Sequence, residues 1–64
     1  MKIKYDKEVD VINIHFSDAE IFETDEDKSG VIIDYDKEGN IVEIEVLNAS
    51  KHNSQPMKVE YEYV

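Results

Sequence analysis

The chain has no cysteine, no arginine and no tryptophan, one proline and two glycines in 64 residues. Each scarcity removes a class of protein. Without cysteine there is neither a disulfide framework nor a thiolate metal site. His15 and His52 stand far apart along the chain, so a structural zinc is not expected, and no other cofactor is implied. No run approaches the roughly 18 apolar residues of a membrane span. The opening "MKIKYDKEVD" lacks the apolar stretch of a secretory signal. The expectation is a cytoplasmic protein that does not engage a membrane. Asn48-Ala49-Ser50 fits the glycosylation acceptor pattern, but a chain without an export signal does not meet that enzyme.

Basic charge is scarce as well: 7 lysines stand against 16 acids, for a net charge of −9. A phosphate backbone would be repelled, so direct nucleic-acid binding is excluded as an expectation. Acidic balance suits a basic protein partner, and it equally suits plain solubility. Residues 1–64 make a single small domain. A chain of this size buries only about 60% of its unfolded surface, and nothing staples the core. Self-association, most simply a homodimer, is the expected remedy.

What the chain does have is β-branched residues and a repeat. Isoleucine and valine dominate the apolar residues, whereas leucine occurs once. Such side chains lose rotamer freedom in a helix and pack well on a pleated sheet. The tetrapeptide "YDKE" occurs at 5–8 and again at 35–38. Around it Ile3 aligns with Ile33, Val11 with Ile41, Ile12 with Val42, Ile14 with Ile44 and Phe16 with Val46. Each copy alternates apolar and polar residues on both sides of a polar bend, the period of a half-buried strand. The fold class predicted is all-β: a small, mainly antiparallel sheet from two related hairpins, an edge strand and a C-terminal strand.

Placing Tyr35 opposite Asn40 sets Ile33 against Val42 and Val31 against Ile44. The first copy then sets Tyr5 against Asp10 and Ile3 against Ile12. A one-residue slip would turn the whole set into water, so the face is firmly specified. Gly39 suits the left-handed position of its bend. Its counterpart Val9 does not, which leaves Asp10 to absorb the first turn. Between the copies, residues 19–24 are expected as an edge strand around Ile21 and Phe22, with a solvated loop over 25–30. Residues 48–56 hold at most one helical turn, ended by Pro56. "MKVEYEYV" at 57–64 alternates and predicts a final strand. Val11, Ile32, Ile41 and Leu47 fall on the opposite face, so a single sheet must curl or pack against a second copy to cover itself.

Candidate sites are few. "DYDKEGNIVEIE" at 34–45 fits the spacing of a helix-flanked calcium loop, with Asp34, Asp36, Glu38 and Glu45 as ligands and Gly39 at the turn. Its flanks are strand sequences, however. In the register above Glu45 lies about 13 Å from the Asp34 end, whereas calcium ligands converge to about 2.5 Å from the ion. The segment reads as a hairpin, with only a weak cation site at Asp34, Asp36 and Glu38 as an alternative. His15 and His52 read as surface histidines, because no nucleophile–base–acid set accompanies them. Paired carboxylates abound, yet a chain this short lacks the walls of a cleft. No catalytic residue is assigned. A ligand-binding or catalytic site shared between two chains is the alternative. The sharpest electrostatic feature is the stretch Asp18, Glu20, Glu23, Asp25, Glu26 and Asp27. It would dock a lysine- or arginine-rich partner, or merely discourage sheet-to-sheet aggregation.

Two blocks, "MKIKYDKEVDVINIHFSD" and "GVIIDYDKEGNIVEIEVLNAS", together resemble the short prokaryotic proteins gathered as Domain of Unknown Function 2283. The resemblance covers residues 1–18 and 30–50, with Asn48 standing where that family more often has aspartate. It implies no established activity, cofactor or catalytic residue. Some members are encoded beside small toxin-like proteins, which implies an antitoxin-like role. The leading expectation is therefore a non-catalytic interaction module for a small basic protein, with Glu20, Glu23, Asp25, Glu26 and Asp27 as the candidate contact residues.

Overall fold

The computed structural model, which describes residues 1–64, has five strands and one short helix. The strands are β1 (Lys2–Asp6), β2 (Val11–His15), β3 (Glu23–Glu26), β4 (Val31–Tyr35) and β5 (Ile41–Leu47). The helix, α1 (Ala49–His52), is a single turn. All neighbours pair antiparallel, in the order β1-β2-β5-β4-β3. Each repeat is thus one hairpin, and the second strands of the two hairpins meet at the centre. There Ile14 faces Ile44, its own repeat counterpart, so the hairpins are related by a local two-fold axis.

Both hairpins are offset by two residues from the pairing expected. Ile3 faces Ile14 rather than Ile12, and Ile33 faces Ile44 rather than Val42. The offset is even, and side chains alternate with a period of two, so the faces survive. Ile3, Tyr5, Ile12, Ile14, Val31, Ile33, Val42, Ile44 and Val46 share one side of the sheet. Lys2, Lys4, Asn13, His15, Glu43 and Glu45 share the other, together with Val11, Ile32 and Leu47.

The bends explain the offset. In the first, Asp6 pairs with Val11, leaving four residues in the turn. Asp10 takes the left-handed conformation at φ 57, as the unsuitability of Val9 required. In the second, the Asp36 N–H donates to the Asn40 carbonyl at 2.9 Å, leaving three, and Gly39 sits at φ 84. Three-residue bends with glycine in the left-handed position are a common hairpin closure. The residue saved is returned by an irregularity between Asp34 and Tyr35, where the pairing passes from Glu43 to Ile41. Beyond it the second hairpin has the register of the first. Aspartate opens both bends in the same way: Asp6 accepts from the Glu8 N–H at 3.0 Å and Asp36 from the Glu38 N–H at 2.9 Å.

Two other expectations shift. The edge strand forms at Glu23–Glu26, later than the 19–24 proposed, and leaves Ile21 and Phe22 exposed. The Phe22 N–H already donates to the Tyr35 carbonyl, so pairing begins there, and β3 extends into what was read as loop. The final strand over 57–64 does not form. Alternation makes a segment compatible with a sheet, but a strand exists only with a hydrogen-bonded neighbour. This segment has none in the single chain. Its one backbone bond is local, from the Lys58 N–H to the Gln55 carbonyl.

The core is thin. Val42 and Ala49 alone are buried, at 3% and 0% exposure. Most of the rest of the apolar face is half-buried, Ile3 is exposed, and no layer of helix covers it. No helix is long and apolar enough to cross a membrane.

Candidate functional site

The acidic residues singled out in the sequence line one border of the sheet. β3 is an edge strand, paired with β4 on one side only. Alternation distributes its charge over both faces. Asp25 is opposite Ile33 and Glu23 opposite Tyr35, on the apolar side, whereas Thr24 and Glu26 point to the other. Glu20 precedes the strand and Asp27 opens the following turn, where its carboxylate accepts from the Ser29 hydroxyl at 2.7 Å. All five acids are exposed, and none is paired with a lysine. Instead of one patch, the structure makes them a charged border with free backbone groups along it.

His15 is less idle than its sequence context implied. It stands on β2 opposite Glu43 of β5. Its Nδ1 lies 3.1 Å from a Glu43 oxygen and its Nε2 lies 2.8 Å from an Asp18 oxygen. Both nitrogens face carboxylates, an arrangement that favours the ring with a proton on each. The hydrogen bond to Asp18, then that to Glu43, raise its pKa above the usual histidine value, against a smaller opposing effect of desolvation. Lys2, Lys4 and Asn13 complete an open depression of about 360 Å³ around it. His15 thereby bridges three segments of the polar face. Glu43 was not legible as its partner, because no local pattern signals that β2 lies beside β5.

A second network was also missed. The left-handed turn at Asp10 directs both its carbonyl and its carboxylate to the start of α1. The Asp10 carbonyl accepts from the Ala49 N–H at 2.9 Å. Its carboxylate accepts from the Ser50 N–H at 3.1 Å and the Ser50 hydroxyl at 2.7 Å. The Tyr5 hydroxyl adds a third donor at 2.8 Å. Asp10 thereby satisfies two free N–H groups at the helix start, the work that Asn48, left-handed at φ 52, does not do with its side chain. These bonds, the Ser50 hydroxyl first and then Tyr5, lower the Asp10 pKa. The same carboxylate, chiefly through the hydrogen bond, raises that of Tyr5. The serine hydroxyl donates directly to a carboxylate with no base between, so the set anchors the helix and activates no nucleophile. At the other end of α1, His52 Nε2 lies 3.3 Å from the Ser29 carbonyl and ties the helix to the turn before β4.

The residues of the supposed cation loop are turned to other uses. Asp36 Oδ1 accepts from the Glu38 and Asn40 N–H groups, each at 2.9 Å, and Oδ2 from the Asn40 amide at 3.2 Å. The Asn40 backbone bond leads in lowering the Asp36 pKa. Asp34 accepts from the Thr24 hydroxyl at 2.7 Å, across the β3–β4 pair. Glu45 lies closer to Asp34 than the expected register implied. Asp34 faces Glu43, which puts Glu45 two residues further along, about 6.6 Å rather than 13 Å. What separates this loop from a calcium site is the sheet itself: strands flank it, and its carboxylates face different neighbours. Nowhere do three or more potential ligand side chains converge as a metal site would need.

No curated protein and no solved structure matches the chain. A family model described as a protein of unknown function, DUF2283, matches residues 2–50. That span takes in all five strands, both aspartate-opened bends, and the Tyr5–Asp10–Ser50 network that fastens the helix. The tail lies outside it. The match extends over most of the 64 residues, and the chain accordingly belongs to the DUF2283 family of proteins of unknown function.

Proposed function

We propose that the chain is a non-catalytic interaction module whose β3 border receives a basic protein, in the manner of an antitoxin neutralising a small toxin. The observation that carries this reading is the combination at β3 of an open strand edge with exposed, lysine-free carboxylates on both faces. An extended basic segment laid along that edge would gain main-chain hydrogen bonds from the strand. It would gain charge pairing from Glu23, Asp25 and Glu26, whichever way its side chains point. Glu20 and Asp27 flank the strand and extend the same field. Charge of this kind speeds encounter and selects against acidic partners.

Affinity capture from the native host tests it. The chain is immobilised at low ionic strength beside a variant carrying Glu23→Lys, Asp25→Lys and Glu26→Lys. The expected result is one small basic protein retained by the parent chain, released by about 0.5 M salt, where screening acts within about 4 Å, and absent from the variant. Retention that ignores the three substitutions, or enrichment of no basic protein at all, would refute the reading.

A further inference from the structure

The opposite border of the sheet has the complementary problem. β1 is the other edge strand, and it carries Lys2 and Lys4 on the charged face beside Asp6. The C-terminal segment 57–64 has the pattern of a strand and no strand to join. Its side chains are among the most exposed in the molecule, with Tyr61 at 80% and Tyr63 at 88%. It leaves the body of the protein beside β1: Tyr5 and Lys7 face Ser54, Pro56 and Met57 across an open cleft of about 580 Å³.

We propose that this protein is a homodimer in which residues 57–64 of each copy add antiparallel to β1 of the other. One register matches residues 58–62 to the five residues of β1. With Glu60 opposite Lys4, Glu62 falls opposite Lys2 and Lys58 opposite Asp6, three pairs of opposite charge on one face. On the other face Val59 falls opposite Tyr5, and Tyr61 opposite Ile3. Opposite charges and aromatic–β-branched pairs across adjacent strands are each favourable. The parallel alternative with Glu60 beside Lys4 places Lys58 beside Lys2 and Glu62 beside Asp6. The acidic edge β3 would repel the same segment, so charge selects β1.

The surface area says why the occupant is a second copy. A compact monomer of 7.5 kDa exposes about 4,250 Å², whereas this chain exposes 5345 Å². The excess of about 1,100 Å² is somewhat more than the roughly 800 Å² each partner contributes to a standard stable interface. Exposed apolar side chains on the tail, and on the apolar face Ile3 at 44% and Phe16 at 42%, are among those that contribute to it. A tail folded onto its own β1 would leave that face bare. A tail arriving from another copy brings with it a second sheet, whose apolar face covers the first.

Charge reversal separates exchange between chains from folding back within one. Two variants are made, Lys2→Glu with Lys4→Glu, and Glu60→Lys with Glu62→Lys, and their masses are measured by light scattering at micromolar concentration. The parent chain is expected at twice 7.5 kDa. Each variant alone sets like charges against like and is expected as a monomer, with its sheet intact by circular dichroism. An equimolar mixture pairs opposite charges at both exchanged strands and is expected to recover the dimer. A tail paired within its own chain gains nothing from mixing. A monomeric parent, variants that stay dimeric when separate, or a mixture that stays monomeric would each overturn the proposal.

Discussion

Val42 and Ile41 are adjacent, both are β-branched, and the structure assigns them opposite fates. Val42 is the one strand residue that is buried, at 3% exposure, whereas Ile41 is 40% exposed. Val42→Ala removes two methyl groups from a closed site. Transfer of about 0.8 kcal/mol for each, with a modest contribution from the cavity left behind, gives about 2 kcal/mol. Ile41→Ala removes more carbon, but much of it is already in water, and about 1 kcal/mol is expected. A domain of this length has only about 3–10 kcal/mol of stability in all. The Val42 change therefore costs a large share and should lower the melting temperature by roughly 10 °C. Urea or thermal denaturation of both variants, followed by circular dichroism, reads the difference. Protein concentration must be held equal and low, because association would add its own stabilisation. The larger truncation should do the smaller damage. If Ile41→Ala costs as much as Val42→Ala or more, the assignment of faces in β5 is wrong, and with it the pairing of β5 to its neighbours.

The charged networks give predictions in pH. Asp10 is held below its ordinary pKa by Ser50 and Tyr5, so its contribution to stability is present above the unfolded value of about 4 and is lost as pH falls through its depressed pKa. Asp10→Asn should flatten that acid limb, and Asp10→Gly, which keeps the left-handed turn but removes the acceptor, should release the Ser50 amide to rapid hydrogen exchange; unchanged protection at Ser50 in the glycine variant would show that α1 is held by something else. His15 has the opposite sign. Its raised pKa makes its contribution complete below about 6.5 and lost as pH rises through the folded value, and His15→Gln should abolish that decline. A His15 that titrates below 6.5 by NMR would remove the imidazolium bridge. At Gly39, φ is 84 with open space where a Cβ would sit, so Gly39→Ala should cost about 1 kcal/mol from backbone strain alone, and Gly39→Asn a fraction of it. Equal stability of the glycine and alanine forms would mean the bend relaxes.

The candidate site residues were legible to different depths, for a physical reason. The acids at 20–27 and the two histidines are visible as residue types in any reading. Their roles depend on neighbours that are remote in sequence. Glu43 reaches His15 because β2 and β5 lie side by side, and Ser50 reaches Asp10 because the chain returns past the first bend. Neither adjacency follows from a local pattern. A clue did exist for Asp10: a left-handed aspartate in place of glycine has its side chain fixed in direction, and such a residue is a natural anchor.

Sequence alone determined the four strands of the two related hairpins and the face each of their side chains takes. Those properties follow from alternation and turn chemistry, which act over a few residues and outlast an even error in pairing. Tertiary structure decided the rest: a two-residue offset, an irregularity that restores the common register, the edge strand's place at Glu23–Glu26, and a tail left without a neighbour. A strand needs a second strand beside it, and which one is near is settled by how the whole chain packs. For residues 57–64 the pattern is present and the neighbour is missing from the single chain. That mismatch is what points beyond it to a second copy.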